Sequence, residues 1–232
     1  MALQGFVRPK DIKVRDRLII SVSGLGKNGK THFALNSEYP LVSFSSDMGE
    51  EGVVGKFADK DIQIMHLARF SDGDMSAGAP QEEFNRFRTA YLRALRDPKI
   101  KTIVWDTATE IWELLRLARF GKLTQVMPYQ YGPVNAEYRS LIREAQYGDK
   151  NLILLHQMRP VYIKDKRTDE YERAGFSDTE YLVQVVTRIS YDPDEQEFTL
   201  TIDGCRHNPH LTKTELSGPM CTFEMLKSMV LG

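Results

Sequence analysis

Residues 18–33, LIISVSGLGKNGKTHF, limit the fold most tightly. An apolar run ends in a glycine-rich loop, and the loop leads into helix-forming sequence. Gly24, Gly29, Lys30 and Thr31 fit the spacing G-x-x-x-x-G-K-[ST]. Each residue type has a chemical reason to be there. The glycines let the backbone curl so that successive N–H groups point inward at phosphate oxygens. Lys30 would place its charge on the β- and γ-phosphates, and the Thr31 hydroxyl would ligate Mg²⁺. A helix that begins at the loop favours an anion at its N-terminus. The residues expected around the phosphates are Gly24, Leu25, Gly26, Lys27, Asn28, Gly29, Lys30, Thr31 and His32.

The rest of the chain has the rhythm that such a loop requires. Short runs rich in Val and Ile predict strands at 18–23, 41–46, 62–67, 101–105 and 151–155. Between them lie stripes at helical spacing: Phe84, Phe87, Tyr91 and Leu95; Ile111, Leu114, Leu115 and Ala118; Tyr138, Leu141, Ile142 and Ala145. Alternating strands and helices predict an α/β fold with a mostly parallel central sheet flanked by helices. The later sequences YLVQVVTRISY and EFTLTID flank the turn-rich DPDEQ, which predicts a C-terminal antiparallel hairpin extending the sheet. A last helix is expected after an N-cap at Thr222. Segments 71–80, 121–133 and 159–178 are polar or rich in glycine and proline, and read as mobile loops. Residues 1–17 read as a terminal segment and 18–232 as a single domain.

A second part of the site is legible in KTIVWDTATE. An apolar strand ending in Asp106 would bring a carboxylate beside the loop, where with Thr31 it could hold Mg²⁺. A third lies in LVSFSSDMGEEGVVG, which offers Asp47, Glu50 and Glu51 near the expected γ-phosphate. One of them could polarise the attacking water, with Asp47 the first choice and Glu50 the second.

Composition excludes some classes. A net charge of −1 gives no global attraction to nucleic acid, so any such binding must come from local patches. Two cysteines are too few for a disulfide framework and fit a reducing cytoplasm. The start has no signal-peptide core, and no apolar run is long enough to span a membrane, so no membrane partner is expected. Cys205, His207, His210 and Cys221 match no common zinc spacing.

At NLILLHQMRPVY the chain resembles the RecA recombinases, whose corresponding strand ends in a glutamine that senses the γ-phosphate. The TIVWDTATEIWELL segment, the QYG before a helix and FSDTEYLVQVVTRI follow in the order of that family, over roughly residues 18–206. Within it the chain is similar to the short, core-only ATPases of bacteriophages, some of which anneal single strands. The resemblance implies a RecA-like P-loop ATPase core using ATP and Mg²⁺, with Gln157 as the sensor. It implies single-stranded DNA contacts from two loops. Arg116, Arg119, Lys122, Tyr129 and Tyr131 belong to the first; Arg159, Lys164, Lys166 and Arg167 belong to the second. Acidic neighbours leave that second loop nearly neutral. The resemblance further implies a ring or filament of identical subunits, with Arg206 as a finger reaching the neighbour's ATP site. Residues 1–17 would be a docking arm, and a single-strand DNA-binding protein a partner. A phage-encoded chain would work in the host cytoplasm. Two other functions stay open: a nucleotide switch acting on a protein partner without DNA, and a RecA-type helicase or motor.

Overall fold

The structure is a computed structural model and describes residues 5–12, 14–47, 49–70, 78–121 and 126–232. The strand–loop–helix that opens the core is β1 (Ile19–Ser23) followed by α1 (Lys30–Leu35). Next come β2 (Leu41–Ser45), β3 (Ile62–His66), α2 (Ala79–Arg96), β4 (Thr102–Asp106), α3 (Ala108–Phe120), α4 (Tyr131–Tyr147) and β5 (Asn151–His156). The second half holds β6 (Met158–Ile163), β7 (Lys166–Arg173), α5 (Thr179–Leu182), β8 (Val185–Asp192), β9 (Glu197–Cys205), β10 (Glu215–Ser217) and α6 (Phe223–Leu231).

Eight strands make one sheet in the order β10-β9-β8-β1-β5-β4-β2-β3. β3, β2, β4, β5, β1 and β8 run parallel, and β9 and β10 continue antiparallel. Every residue of β1, β4 and β5 is buried, as expected of strands covered by helices on both faces. Side chains alternate across the sheet. Ile19, Ile103, Trp105, Leu152 and Leu154 pack against the apolar stripes of α2, α3 and α4. Ile20, Val22, Val104, Ile153 and Leu155 pack against α1 and α6. Thr222 caps α6, its hydroxyl accepting from Met225 N.

Parallel order brings the carboxyl ends of β1, β5, β4 and β2 to one edge, and β5 lies between β1 and β4. The loops that leave these strands therefore converge, which is where ligands sit in open α/β sheets.

Two expected loops differ. Residues 158–173 form an antiparallel hairpin, β6–β7, a two-stranded sheet of its own. Lys164 and Asp165 at its tip have φ of 51° and 61°, the left-handed geometry that a two-residue hairpin turn needs. Charge pairing stands in for an apolar face: Arg159 Nε donates to Glu172 Oε1 at 2.8 Å across the strands. The other difference is in segment 121–133. Tyr131 begins α4 and packs on Phe120 with ring centroids 5.2 Å apart. Tyr181 and Leu182, expected to open the C-terminal hairpin, belong instead to the helical turn α5, and β8 starts at Val185.

Candidate active site at the carboxyl edge of the sheet

The loop after β1 bends sharply before α1. Lys27 and Gly29 have φ of 68° and 82°. A side chain at Gly29 would also collide with the Phe198 ring, 2.7 Å from an added Cβ. Glycine is required there on both counts. A Cβ on Gly24 would meet Ile189 O at 2.7 Å, so the loop lies tight against β8.

Gly24, Gly26, Lys27, Gly29, Lys30, Thr31 and His32 line a cleft of about 640 Å³, together with Asp47, Asp106 and Gln157. Leu25 and Asn28, expected in the same role, line a separate depression against Met158, Asp169 and Arg188. Lys30 Nζ folds back on its own loop, donating to Gly24 O and Leu25 O at 2.8 Å each. Burial lowers its pKa, opposed by the nearby charges of Asp106 and Asp47. Those carbonyls hold the ammonium where a phosphate oxygen could take their place.

Asp106 ends β4 and is 2% exposed. Thr31 Oγ1 donates to its Oδ2 at 2.7 Å. Burial, and next the charge of Asp47, raises the Asp106 pKa to about 7. The peptide that follows, Asp106–Thr107, is cis. No group of three His, Cys, Asp or Glu side chains among the described residues could hold a metal alone. A hydroxyl beside one or two carboxylates does fit Mg²⁺, which takes its remaining ligands from water and phosphate.

Asp47 lines the cleft and its Oδ1 accepts from Gly49 N at 3.0 Å. Glu50 does not line it; its carboxylate turns back beneath β2. Glu51 lines the same outer cavity as Glu50. Gln157 lies in the cleft at the junction of β5 and β6. Its backbone N donates to Thr109 Oγ1 at 3.1 Å, and its Nε2 donates to Glu110 Oε1 at 3.1 Å. Ala174 N donates to Gln157 O at 2.9 Å and closes the root of the hairpin. His156, one residue earlier, is fully buried, and burial holds its pKa down to about 3.

The residues expected on DNA are dispersed. Arg116 pairs with Glu113 and lies 5.8 Å from the Tyr131 ring centroid. Arg119 pairs with Glu137 at 2.5 Å. Tyr131 is half-buried against Phe120, a packing role rather than a free stacking surface, because it begins a helix that must bury a face. Tyr129 is 77% exposed. Lys122 lies outside the described residues. Arg159 is paired as described, Arg167 lies over Tyr171 at 5.9 Å, and Lys164 and Lys166 are exposed at the hairpin tip. Arg206 follows β9 at the opposite edge of the sheet from the cleft, its Nη2 donating to Tyr181 O at 2.7 Å. It cannot reach its own chain's site. Cys205 is buried in the core, and burial pushes the Cys221 thiol up to about 11.

Sequence reasoning missed three contributors to the cleft region. Glu110 was visible in TATE, one helical turn past Asp106, and holds Gln157. Phe198 covers Gly29 and Lys56 lines the cleft, and neither carries a local sequence signal.

Fold and cleft together define a chain of RecA-like P-loop architecture. No protein-family model matches the sequence, and no curated protein matches it. Among solved structures it is similar to the crystal structure of the RadB recombinase, with a TM-score of 0.51. That match covers 88% of this chain and 86% of the other at 11% sequence identity, a likeness of fold. No helix among the described residues is long and apolar enough to cross a membrane.

Proposed function

We propose that this chain is an ATPase of the recombination type that binds single-stranded DNA and promotes annealing or strand pairing, as some core-only phage ATPases do. One observation carries the reading. Thr31 and Asp106 meet at 2.7 Å between the glycine-rich loop and a strand end, and Gln157, in the same cleft, is also the root of the β6–β7 hairpin. Lys30 would hold the β- and γ-phosphates, and Thr31 and Asp106 the Mg²⁺. That ion supplies charge neutralisation on the phosphate oxygens. An acid of the 47–51 loop takes the proton of the attacking water. Gln157 exchanges its bond to Glu110 for one to the γ-phosphate and passes the change to the hairpin. Tyr129 and the tip lysines would contact the strand. Assembly follows the same reading: residues 1–17, with Phe6, Val7, Ile12 and Val14 exposed, act as a docking arm, and Arg206 serves a neighbour's site. A single-strand DNA-binding protein is a fitting partner.

The test is ATP turnover with and without long single-stranded DNA, beside Lys30→Ala. Stimulation by DNA that disappears in the variant supports the reading. A variant that hydrolyses at the wild-type rate ends it.

A second reading has its own support. Arg116, Arg119 and Arg159 are each paired with a glutamate, which leaves little free charge for a phosphate backbone. On that reading the chain is a nucleotide switch for a protein partner, and turnover is indifferent to DNA.

A further inference from the structure

The loop after β2 carries acids in two different settings. Asp47 stands at the place of the metal ligands: a Cβ added to Gly49 would lie 2.9 Å from Asp47 Oδ1 and 3.2 Å from Thr31 Oγ1. Glu50 is 5% exposed and faces away from the cleft. Its Oε2 accepts from Ser45 Oγ at 2.5 Å. Its Oε1 is buried without a hydrogen bond, although His66 Nδ1 stands 3.1 Å away. Yet its neighbours Gly49, Gly52 and Val53 line the nucleotide cleft, so only the side chain is turned away.

A buried carboxylate with one oxygen left without a hydrogen bond is a poor resting place, and structures keep such a group where it has work elsewhere. The residues that hold it are themselves fixed. Ser45 ends β2, which is paired on both sides, with β4 and with the edge strand β3. His66 ends the edge strand β3, and its backbone O accepts from Arg86 Nη2 at 2.6 Å. Two residues on, Ala68 N donates to Glu83 Oε1 at 2.7 Å, so α2 holds the end of β3 in place. Beside His66 and Glu50 lies an open cavity of about 530 Å³, which leaves this contact reachable from the edge of the sheet.

We propose that Glu50 is the acid that activates water, and that Ser45 and His66 are positioning residues that hold it out of the cleft between turnovers. The proposal rests on the ATPase reading above. In the step itself, a bond forms from the water oxygen to the γ-phosphorus as the bond to the bridging oxygen breaks. The water proton passes to the Glu50 carboxylate, and the electron pair leaves on ADP. With Glu50 bonded to Ser45 beneath β2 that transfer has no acceptor, so the resting chain hydrolyses slowly while binding ATP fully. Turning the Glu50 side chain towards the cleft that Gly49 and Gly52 line starts catalysis.

The experiment measures ATP binding with a fluorescent ATP analogue first, then steady-state turnover without DNA. His66 is an exposed side chain, so His66→Ala folds as the wild type does. Its kcat is expected to rise about tenfold with KM little changed, because losing this 3.1 Å contact weakens the hold on the carboxylate. Ser45→Ala is expected to act in the same direction. His66→Gln, whose amide reaches the same place, keeps the low rate. Glu50→Gln binds the analogue and turns over little, and adding it to His66→Ala removes the gain. Unchanged kcat in both His66→Ala and Ser45→Ala overturns the proposal, as does wild-type turnover in Glu50→Gln. A wild-type chain that fails to bind the analogue overturns the ATPase reading itself, and the binding step reveals that separately.

Discussion

The two edges of the parallel sheet are built on opposite terms. At the amino edge, buried polar groups are saturated. Asn151 Oδ1 accepts from Leu18 N at 2.9 Å while its Nδ2 donates to Glu38 Oε2 at 3.0 Å. Lys227 reaches both Glu38 at 2.6 Å and Asp16 at 3.0 Å. Arg17, 8% exposed, donates to Gln184, Gln146 O and Gly148 O. At the carboxyl edge, buried groups are left wanting. Glu50 Oε1 and His156 Nε2 lack hydrogen bonds, and Asp106 is held near neutrality by burial and by Asp47. Saturation fixes a fold. Groups held short of their partners cost stability, and they are where a ligand can supply what is missing.

The difference can be broken most visibly at Lys30. Lys30→Ala is expected to lower ATP turnover by about a hundredfold or more, the loss of charge-assisted contacts worth about 3 kcal/mol, with no fall in melting temperature. At Asp106 the effect falls on stability and carries a sign. Its folded pKa, about 7, lies above the ordinary carboxylate value of 3.8. The stability it contributes is therefore full below pH 3.8 and lost as pH rises through about 7. Asp106→Asn should then make the nucleotide-free protein more stable at pH 8 by about 2–4 kcal/mol, a gain that vanishes towards pH 4 and comes with loss of hydrolysis. Denaturant melts at the two pH values decide it.

The amino edge should respond the other way. Asn151→Ala strands the Leu18 N–H in the core and is expected to cost about 2–3 kcal/mol in urea melts, leaving nucleotide affinity intact in the folded fraction. The smallest effect is expected on the hairpin. Arg159→Ala removes an exposed pair and should change global stability by less than about 1 kcal/mol, while any stimulation of turnover by single-stranded DNA falls severalfold. A large loss of stability there would mean that the hairpin belongs to the core.

Most of the sheet was legible because its strands are buried on both faces and therefore written as unbroken apolar runs, as in LIISV and NLILL. The glycine-rich loop, Asp106 and Gln157 were legible too, since each sits where a strand stops, and the structure brings them to one cleft. The β6–β7 hairpin was not. KRTDEYER has no apolar alternation because neither face is buried in the core, and its order comes from cross-strand pairs that a linear reading does not show. The inward turn of Glu50 was equally hidden, because it depends on Ser45 and His66 from two neighbouring strands. The pairing of Arg116 with Glu113 lies on one helix face, three residues apart, while that of Arg119 with Glu137 joins two helices and is not shown by a linear reading.

One further consequence follows from the root of the hairpin. β6 has six residues and pairs with β7 up to a tight turn, so the hairpin is a stiff arm about 20 Å long. Gln157 lies at its root. A tilt of about 10° there carries the tip through roughly 3–4 Å, longer than a hydrogen bond. On the proposed reading, a change confined to one amide at the cleft would thus have the leverage to make or release a grip at Lys164, with no joint needed in between.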